Sequence, residues 1–296
     1  MKKRTLLLTA LAAALLAVVA PMGAYADDDE NGGKDDDRGS KSDDGKACGK
    51  VDVYGITADG RLIVFRSDKP EKADTVGRIT GLTGDTRLVG IDFRPANGLL
   101  YGVGDRGGLY TLNQRTAVAT KVGQLSVPLE GTSFGVDVNP VPDALRIISD
   151  TGQNLRYSFA AGTTTADTPL TYPPATTRAT GVTGAAYTNN DSDPNTATTL
   201  FDIDSTMDQV AIQSPANSGT LAPTGKLGVD TNAVVGFDIY SEIRNGTTSC
   251  LAAYASLTVN GQARFYSVNL LQGRTSLVGS FSSQNQVTGI AIELDR

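Results

Sequence analysis

The amino-acid sequence predicts an all-β fold, a five-bladed β-propeller closed by a C-terminal strand that joins the N-terminal strands. A short glycine-centred phrase, of the type Leu-Val-Gly-Ile-Asp-Phe, returns five times, and β-rich runs fill the intervals between its copies. Its glycines are 45, 49, 52 and 53 residues apart and are Gly90, Gly135, Gly184, Gly236 and Gly289. A period near fifty residues with β-type composition is typical of four-stranded sheets repeated around an axis.

The first complete repeat divides into four predicted strands. The glycine phrase at 88–93 is followed by a turn at 94–98, and then by β-rich runs at 99–103, 109–112 and 119–123. Short runs bounded by Gly, Pro, Asn and Asp are typical of antiparallel strands joined by tight turns. The third repeat is the least regular, and its predicted strands are 199–203, 209–213 and 219–225.

The two ends of the repeat array complement each other. Seven residues follow the last phrase glycine, Gly289, which leaves that repeat with its first strand alone. Three β-rich runs at 51–56, 62–65 and 75–77 precede the first phrase and match the last three strands of the other repeats. The final strand and these three runs therefore make a fifth blade, which removes the open edges that a partial ring would expose.

The N-terminus has the pattern of a secretory signal peptide. Lys2, Lys3 and Arg4 precede an apolar run at 6–20, and Ala24-Tyr25-Ala26 has the small-x-small pattern of a cleavage site. We therefore predict a signal peptide over 1–26, cleaved after Ala26, and a secreted, extracellular protein. The apolar run is shorter than the roughly 20 residues of a transmembrane helix, so we expect no membrane insertion.

Residues 27–47 are expected to form a disordered acidic linker before a propeller domain at 48–296. The segment carries runs of Asp among Gly, Ser and Lys, and it has no large apolar residue with which to form a core. Loss of three positive charges with the signal peptide changes the formal net charge from −6 to −9. A protein this acidic is repelled by phosphate backbones, so nucleic acid is excluded as an expected partner.

The two cysteines are expected to form a disulfide. Cys48 precedes the second strand of the closing blade, and Cys250 precedes the second strand of the neighbouring blade. Equivalent positions on neighbouring blades lie at the same end of a propeller. In an exported protein, which meets oxidising conditions, we therefore predict the pair Cys48–Cys250.

The residue types restrict the chemistry that the chain can perform. There is no His, which excludes Ser-His-Asp and Cys-His catalysis as well as His-ligated metals. Asp92, Asp137 and Asp238 occupy the same place in three of the five phrases, so three carboxylates should converge near the axis. They could bind Ca²⁺ or Mg²⁺, catalyse glycoside hydrolysis, or accept hydrogen bonds from backbone amides of the next blade.

A second acidic pattern lies in the third repeat. Asp191, Asp193, Asn195 and Asp202 have the spacing of positions 1, 3, 5 and 12 of a calcium-binding loop. Thr196 stands where such a loop has Gly, and Asp202 stands where it has Glu. We therefore favour an ordinary polar hairpin excursion at this point.

Several segments resemble a family of secreted bacterial proteins known as domain of unknown function 4394. The similarity runs from about residue 53 to 292, and its most characteristic segments are 87–95, 149–156, 186–189, 199–204 and 213–221. Ala216 departs from a Pro that is usual in the family. The resemblance implies an exported propeller-like domain and transfers no catalytic residue. Its polar phrase suggests a candidate shared site, with turn-forming and inter-blade hydrogen bonding as the alternative role: Asp150, Gln153, Asn154 and Arg156.

These observations together favour an exported, non-catalytic binding or interaction domain that functions as a monomer. Its loops on a rigid ring suit recognition of a protein or glycan ligand, whose identity the sequence does not give. The alternative is a carboxylate-dependent, glycosidase-like hydrolase acting on extracellular polysaccharide. The absence of Trp and the scarcity of Glu favour the binding domain, so we do not expect an enzyme. No cofactor other than Ca²⁺ or Mg²⁺ is expected.

Overall fold

The computed structural model describes residues 48–191, 193, 195–245 and 247–294. The predicted signal peptide at 1–26 and the predicted linker at 27–47 lie outside these residues. Within the described residues, no helix is long and apolar enough to cross a membrane.

Twenty strands are formed by the described residues, and they assemble into five four-stranded antiparallel sheets. The strands are β1 Asp52–Thr57, β2 Arg61–Arg66, β3 Asp74–Arg78, β4 Leu88–Phe93, β5 Leu100–Gly104, β6 Gly108–Leu112, β7 Ala119–Gln124, β8 Phe134–Asn139, β9 Ala144–Ser149, β10 Asn154–Ser158, β11 Thr163–Ala166, β12 Val182–Tyr187, β13 Leu200–Asp204, β14 Gln209–Gln213, β15 Leu221–Lys226, β16 Val235–Arg244, β17 Thr247–Val259, β18 Gln262–Val268, β19 Thr275–Ser280 and β20 Val287–Ile292. Two single-turn 3₁₀ helices, Pro70–Lys72 and Ala216–Ser218, lie in the connections.

The sheets are the five blades of a propeller, as the sequence predicts. Blades 1 to 4 are β4–β7, β8–β11, β12–β15 and β16–β19, and blade 5 consists of β20 with β1, β2 and β3. The strand β20 pairs antiparallel with β1, with Val53 opposite Ile292. The predicted closure of the ring by the C-terminal strand is therefore confirmed.

The glycine of each phrase lies where the innermost strands of neighbouring blades converge. A Cβ atom at Gly135 would lie 2.6 Å from the backbone nitrogen of Ala185, and one at Gly236 would lie 2.8 Å from that of Ile290. Both contacts are with backbone, which has no room to move inside the ring. At these two positions the phrase therefore contains Gly because the inner strands approach too closely for a side chain, whereas the nearest atoms to Gly289 are those of the Ile56 side chain at 3.2 Å.

The hydrophobic core is divided among the boundaries between blades. In one of its clusters, Val103 and Leu109 of blade 1 pack with Val136, Leu145 and Ile147 of blade 2. Each sheet therefore buries both faces against its neighbours. The predicted disulfide Cys48–Cys250 is confirmed, with a Cα–Cα distance of 5.4 Å, and it joins the start of the domain to blade 4.

Blade 4 departs from the regular repeat. Its strands β16 and β17 have 10 and 13 residues, and they form a hairpin that extends beyond the rest of the sheet. The strand β18 pairs with β17 only from Ala253 to Val259. The first part of β17 therefore has a strand partner on one side only.

Candidate functional site

Three carboxylates converge at the axis of the ring. Asp92, Asp137 and Asp238 project from the innermost strands of blades 1, 2 and 4, and all three are buried. One carboxylate oxygen from each lies within 4.8 Å of the others. The structure thus brings together the three residues that the repeat singles out.

Each axial carboxylate also accepts a hydrogen bond from the backbone of the next blade. Val138 N–H donates to Oδ2 of Asp92 at 2.7 Å, and Ile292 N–H donates to Oδ2 of Asp238 at 2.6 Å. Tyr187 N–H donates to Oδ1 of Asp137 at 3.2 Å. These bonds connect three of the five pairs of neighbouring blades, so the axial carboxylates hold the ring together whatever else they bind.

The axial site disfavours simultaneous ionisation of its three carboxyl groups when no cation is bound. Burial raises the pKa of Asp92 well above its usual range, and the charge of Asp238 raises it further. Burial, and then the charges of Asp92 and Asp238, raise the pKa of Asp137 in the same way. Burial raises the pKa of Asp238 to about 7. At neutral pH the cluster therefore favours bound protons or a cation between the carboxylates.

The space beside these carboxylates is very small. The cavity that they line with Asn189 and Leu294 has a volume of about 10 Å³, which is close to the minimum for one water molecule. A sugar ring does not fit there. Glycoside hydrolysis also needs two carboxyl groups across an open cleft, about 5–5.5 or 6.5–9.5 Å apart. The axial site therefore has the size for an ion or a water molecule and lacks the space for a polysaccharide.

A second buried polar cluster lies between blades 2 and 3 and is centred on Arg146 of β9, whose side chain is 2% exposed. Its guanidinium donates from Nη1 to Asp167 at 2.8 Å and to Asn154 at 2.7 Å. It donates from Nη2 to Asn217 at 2.6 Å and from Nε to the hydroxyl of Tyr187 at 3.3 Å. These four partners are side chains from both blades and the segments that follow their strands, and Nη1 also donates to the carbonyl of Leu155 at 3.5 Å.

Arg156 and Asp167 complete this cluster. Arg156 donates from Nε and Nη2 to the two oxygens of Asp167, at 3.1 and 3.2 Å, so Asp167 neutralises part of the charge of two arginines. A cavity of about 120 Å³ adjoins both guanidinium groups, and its other lining residues are Asn139, Pro142, Ala144, Tyr187 and Asn217.

The structure divides the polar phrase of the sequence between two places. Asn154 and Arg156 join the Arg146 cluster, as described above. Asp150 accepts hydrogen bonds from the amide and the hydroxyl of Thr132, and Gln153 bonds to the backbone of Pro128 and Glu130. These two residues fix the connection before β8 and do not reach the cavity.

The calcium-loop spacing of the third repeat does not gather its residues around one point. The amide of Asp193 donates to Asp191 and the amide of Asn195 donates to Asp193, which is the hydrogen bonding of successive polar turns. Asp202 instead lies fully buried in β13. Neither of its carboxylate oxygens has a hydrogen-bond partner among the described residues. Burial raises its pKa well above the usual range.

A surface groove on blade 4 has a volume of about 510 Å³. Its walls are the free part of β17, the end of β18 and the turn between β18 and β19. Apolar Leu251, Leu270 and Leu271 alternate there with polar Asn269 and Arg274. The side chain of Leu271 is 75% exposed, so an apolar contact surface is open to solvent.

Sequence reasoning missed Arg146, Asp167 and Asn217 as members of a cluster. One signal for Arg146 was available, because it interrupts an otherwise apolar strand, Ala144–Ser149. Its partners Asp167 and Asn217 lie in connecting segments of different blades. No local pattern in the sequence relates them to it.

Several solved structures are similar to this chain at low sequence identity. One is a nidogen/laminin complex, with 11% identity over 83% of this chain and 99% of the other, and a TM-score of 0.49. Another is a protein of unknown function from Bacteroides thetaiotaomicron, with 13% identity, coverages of 84% and 68%, and a TM-score of 0.46. An auxiliary nutrient-binding protein from Bacteroides ovatus has 10% identity, coverages of 74% and 54%, and a TM-score of 0.42. These similarities carry no argument about a ligand.

No curated protein sequence matches the chain. A family model described as a domain of unknown function, DUF4394, matches residues 61–291 and includes most of the propeller. This match confirms the resemblance seen in the sequence. The chain therefore belongs to the DUF4394 family.

Proposed function

We propose that this protein is an exported, non-catalytic binding domain that captures an extended polypeptide segment in the groove of blade 4. The observation that carries the proposal is the free edge of β17 beside that groove. The strand β17 begins at residue 247, but its pairing with β18 begins only at Ala253. A strand edge of this kind offers backbone N–H and C=O groups to an added strand.

The register of the hairpin indicates which groups face the groove. The strands β17 and β18 are joined by the two-residue turn Asn260-Gly261, so Val259 and Gln262 form a hydrogen-bonded pair. Alternation along β17 then directs the N–H and C=O groups of Ala253 towards β18 and those of Leu251 towards the open edge. The exposed Leu271 lies at the same groove. A strand added there would gain backbone hydrogen bonds from β17 and apolar contacts from the exposed Leu251 and Leu271.

The ring that presents this groove is suited to export. The disulfide Cys48–Cys250 lies directly beside the free edge, and disulfides persist in oxidising compartments. The signal peptide expected over 1–26 would deliver the chain there. In this proposal the disulfide joins the extended part of the hairpin to the start of the domain and so keeps the edge in a constant position.

A peptide-display screen against the immobilised protein tests this function. We expect selected peptides with β-forming, apolar-alternating sequences, and an affinity that falls at least tenfold in Leu271→Asp. The control is Leu277→Asp, because Leu277 is 55% exposed on the same blade and does not line the groove. Equal effects of the two substitutions, or ligands that bind both variants normally, would contradict the assignment of the groove.

The axial carboxylates have a supporting part in the proposal, as a site for one divalent cation. One oxygen from each carboxylate lies within 4.8 Å of the others, so the three oxygens can be ligands of one cation. Carboxylate oxygens are ligands that both Ca²⁺ and Mg²⁺ prefer. Asp92, Asp137 and Asp238 would each contribute one oxygen.

Metal analysis and thermal unfolding test the cation site. We expect a melting temperature that rises with Ca²⁺ and falls with a chelator, and a response to Ca²⁺ that disappears in Asp137→Asn. The matched control is Asp202→Asn, which changes another buried carboxylate away from the axis. A melting temperature that is the same in Ca²⁺ and in chelator would leave the axial carboxylates with only their inter-blade hydrogen bonds.

A further inference from the structure

The blades can be compared with one another at the position that Arg146 occupies. In blade 1 the residue opposite Asp92 on the second strand of the sheet is Tyr101. The residue at this position of the second strand is aromatic in four of the five blades. These residues are Tyr54, Tyr101, Phe201 and Tyr254. In blade 2 alone the equivalent residue is an arginine, Arg146, which lies opposite Asp137.

The next strand of blade 2 adds a second arginine, Arg156, and we call this cross-strand pair of Arg146 and Arg156 the arginine row. Arg156 lies directly opposite Arg146 across β9 and β10. Equivalent positions in the other blades carry Val64, Thr111, Ile212 and Ser267. Like charges directly opposite each other destabilise a sheet unless a counter-charge is present. Blade 2 therefore departs from the repeat at two adjacent positions, and both changes add positive charge.

The charge of this row is only partly compensated. Asp167 contacts both guanidinium groups, so the three side chains together carry one net positive charge. Asp202 also lies near Arg146; burial raises its pKa, and the charge of Arg146 opposes that rise. Asp137 lies opposite Arg146, and burial raises its pKa as well. Among the described residues, Nη1 of Arg156 has no hydrogen-bond acceptor, and the side chain of Arg156 is 34% exposed. A donor that carries charge is thus available at the mouth of the cavity.

From this arrangement we propose that the cavity between blades 2 and 3 binds the carboxylate group of a small organic acid. Its volume of about 120 Å³ corresponds to about four water molecules at ~30 Å³ each, which suits a carboxylate with one or two attached carbons. A carboxylate supplies the one negative charge that the two arginines and Asp167 together lack, and Nη1 of Arg156 can donate a charge-assisted hydrogen bond to one of its oxygens. Any larger part of the ligand would leave past Arg156, the exposed member of the row.

The buried part of the site is already rigid. Arg146 is fixed by Asp167, Asn154, Asn217 and Tyr187, so its guanidinium is oriented before a ligand arrives. Little side-chain entropy is then lost on binding. This site is on a different blade from the groove, and its test does not depend on the proposed peptide binding.

An NMR titration of the isotope-labelled protein with sodium acetate tests the proposal, with sodium sulfate and sodium chloride as parallel probes. We expect saturable acetate shifts that are centred on Arg156 and Asn217, and weaker shifts with sulfate. Arg156→Gln should lower the acetate affinity at least tenfold, and Arg156→Lys should lower it less. The control is Arg178→Gln, which removes an exposed arginine paired with Glu130 and should leave the affinity unchanged.

Three results would overturn the inference. Acetate shifts that stay linear with concentration would show that no site is present. Equal losses in Arg156→Gln and Arg178→Gln would indicate attraction to surface charge in general. Tighter binding of sulfate than of acetate would assign the cavity to tetrahedral oxyanions instead of carboxylates. Because Arg156 is partly exposed, its variants are expected to fold, and unchanged amide spectra away from the cavity verify this.

Discussion

Two buried charged clusters meet in blade 2, and they are stabilised by different kinds of partner. Asp137 and Arg146 lie opposite each other on β8 and β9, yet Asp137 is bonded to the backbone of Tyr187 and Arg146 is bonded to four side chains. The backbone bond recurs at Asp92 and Asp238 because it follows from the repeat. The side-chain bonds of Arg146 occur at one blade boundary. A repeated contact is a property of the architecture, whereas a contact made once points to a role specific to that site.

The largest loss of stability should come from replacing Arg146, the residue at the centre of the side-chain cluster. Arg146→Met keeps the length of the side chain but removes the donor to Asn217 and one of the two arginine partners of Asp167, whereas Asn154 keeps Gln213 as a donor. Loss of one partner from a buried ion pair costs about 3–5 kcal/mol. We expect denaturant unfolding to show a loss of this size, and Arg178→Met, at an exposed ion pair, to change stability by less than about 1 kcal/mol. A loss below about 1 kcal/mol in Arg146→Met would show that the cluster contributes little.

Replacing a glycine at the axis of the ring should cause an intermediate loss of stability. Gly135→Ala places a Cβ atom 2.6 Å from a backbone nitrogen, and overpacking of this kind costs about 1–3 kcal/mol. Gly289→Ala is the matched substitution in blade 5, where the new atom would meet the flexible side chain of Ile56 at 3.2 Å. We expect thermal unfolding to show a clearly smaller loss for Gly289→Ala. Equal losses would mean that the inner strands adjust as readily as a side chain does.

Asp202→Asn should change the free energy of unfolding by no more than the axial glycine substitution does, and in the opposite direction. It is a buried carboxylate with neither the backbone bonds of the axial cluster nor the side-chain bonds of Arg146. Because the pKa of Asp202 is raised in the folded state, the protein has its full stability with respect to this group below about pH 3.8 and loses stability as the pH rises towards the folded-state pKa. Asn at this position does not ionise, so Asp202→Asn avoids this loss of stability. We expect a gain of about 1–3 kcal/mol at pH 8 and a smaller gain at pH 5.

Denaturant unfolding of the wild type and of Asp202→Asn at both pH values measures this difference. A gain that is the same at pH 5 and pH 8 would show that ionisation of Asp202 does not limit stability. A loss at pH 8 would indicate that the carboxylate has a partner which the substitution removes.

The parts of the molecule that repeat were predictable from the sequence, and the parts that occur once were not. The inner strands β4, β12 and β20 coincide with predicted glycine phrases because close packing at the axis imposes the same residues in each blade. The axial Asp residues were found for the same reason. The long β16–β17 hairpin was missed because pairing past the rest of the sheet depends on tertiary context. The cavity beside Arg146 was missed because its lining residues come from two blades.

Closure of the ring by β20 has a consequence for the order of events in the cell. The strands β1 to β3 are made first, but their inner neighbour is complete only after the chain has been synthesised beyond Ile292. Cys48 must likewise wait for a partner 202 residues later in the chain. Blade 5 is thus completed only when the last strand of the chain is available, and the apolar residues of β1 to β3 lack this partner until then.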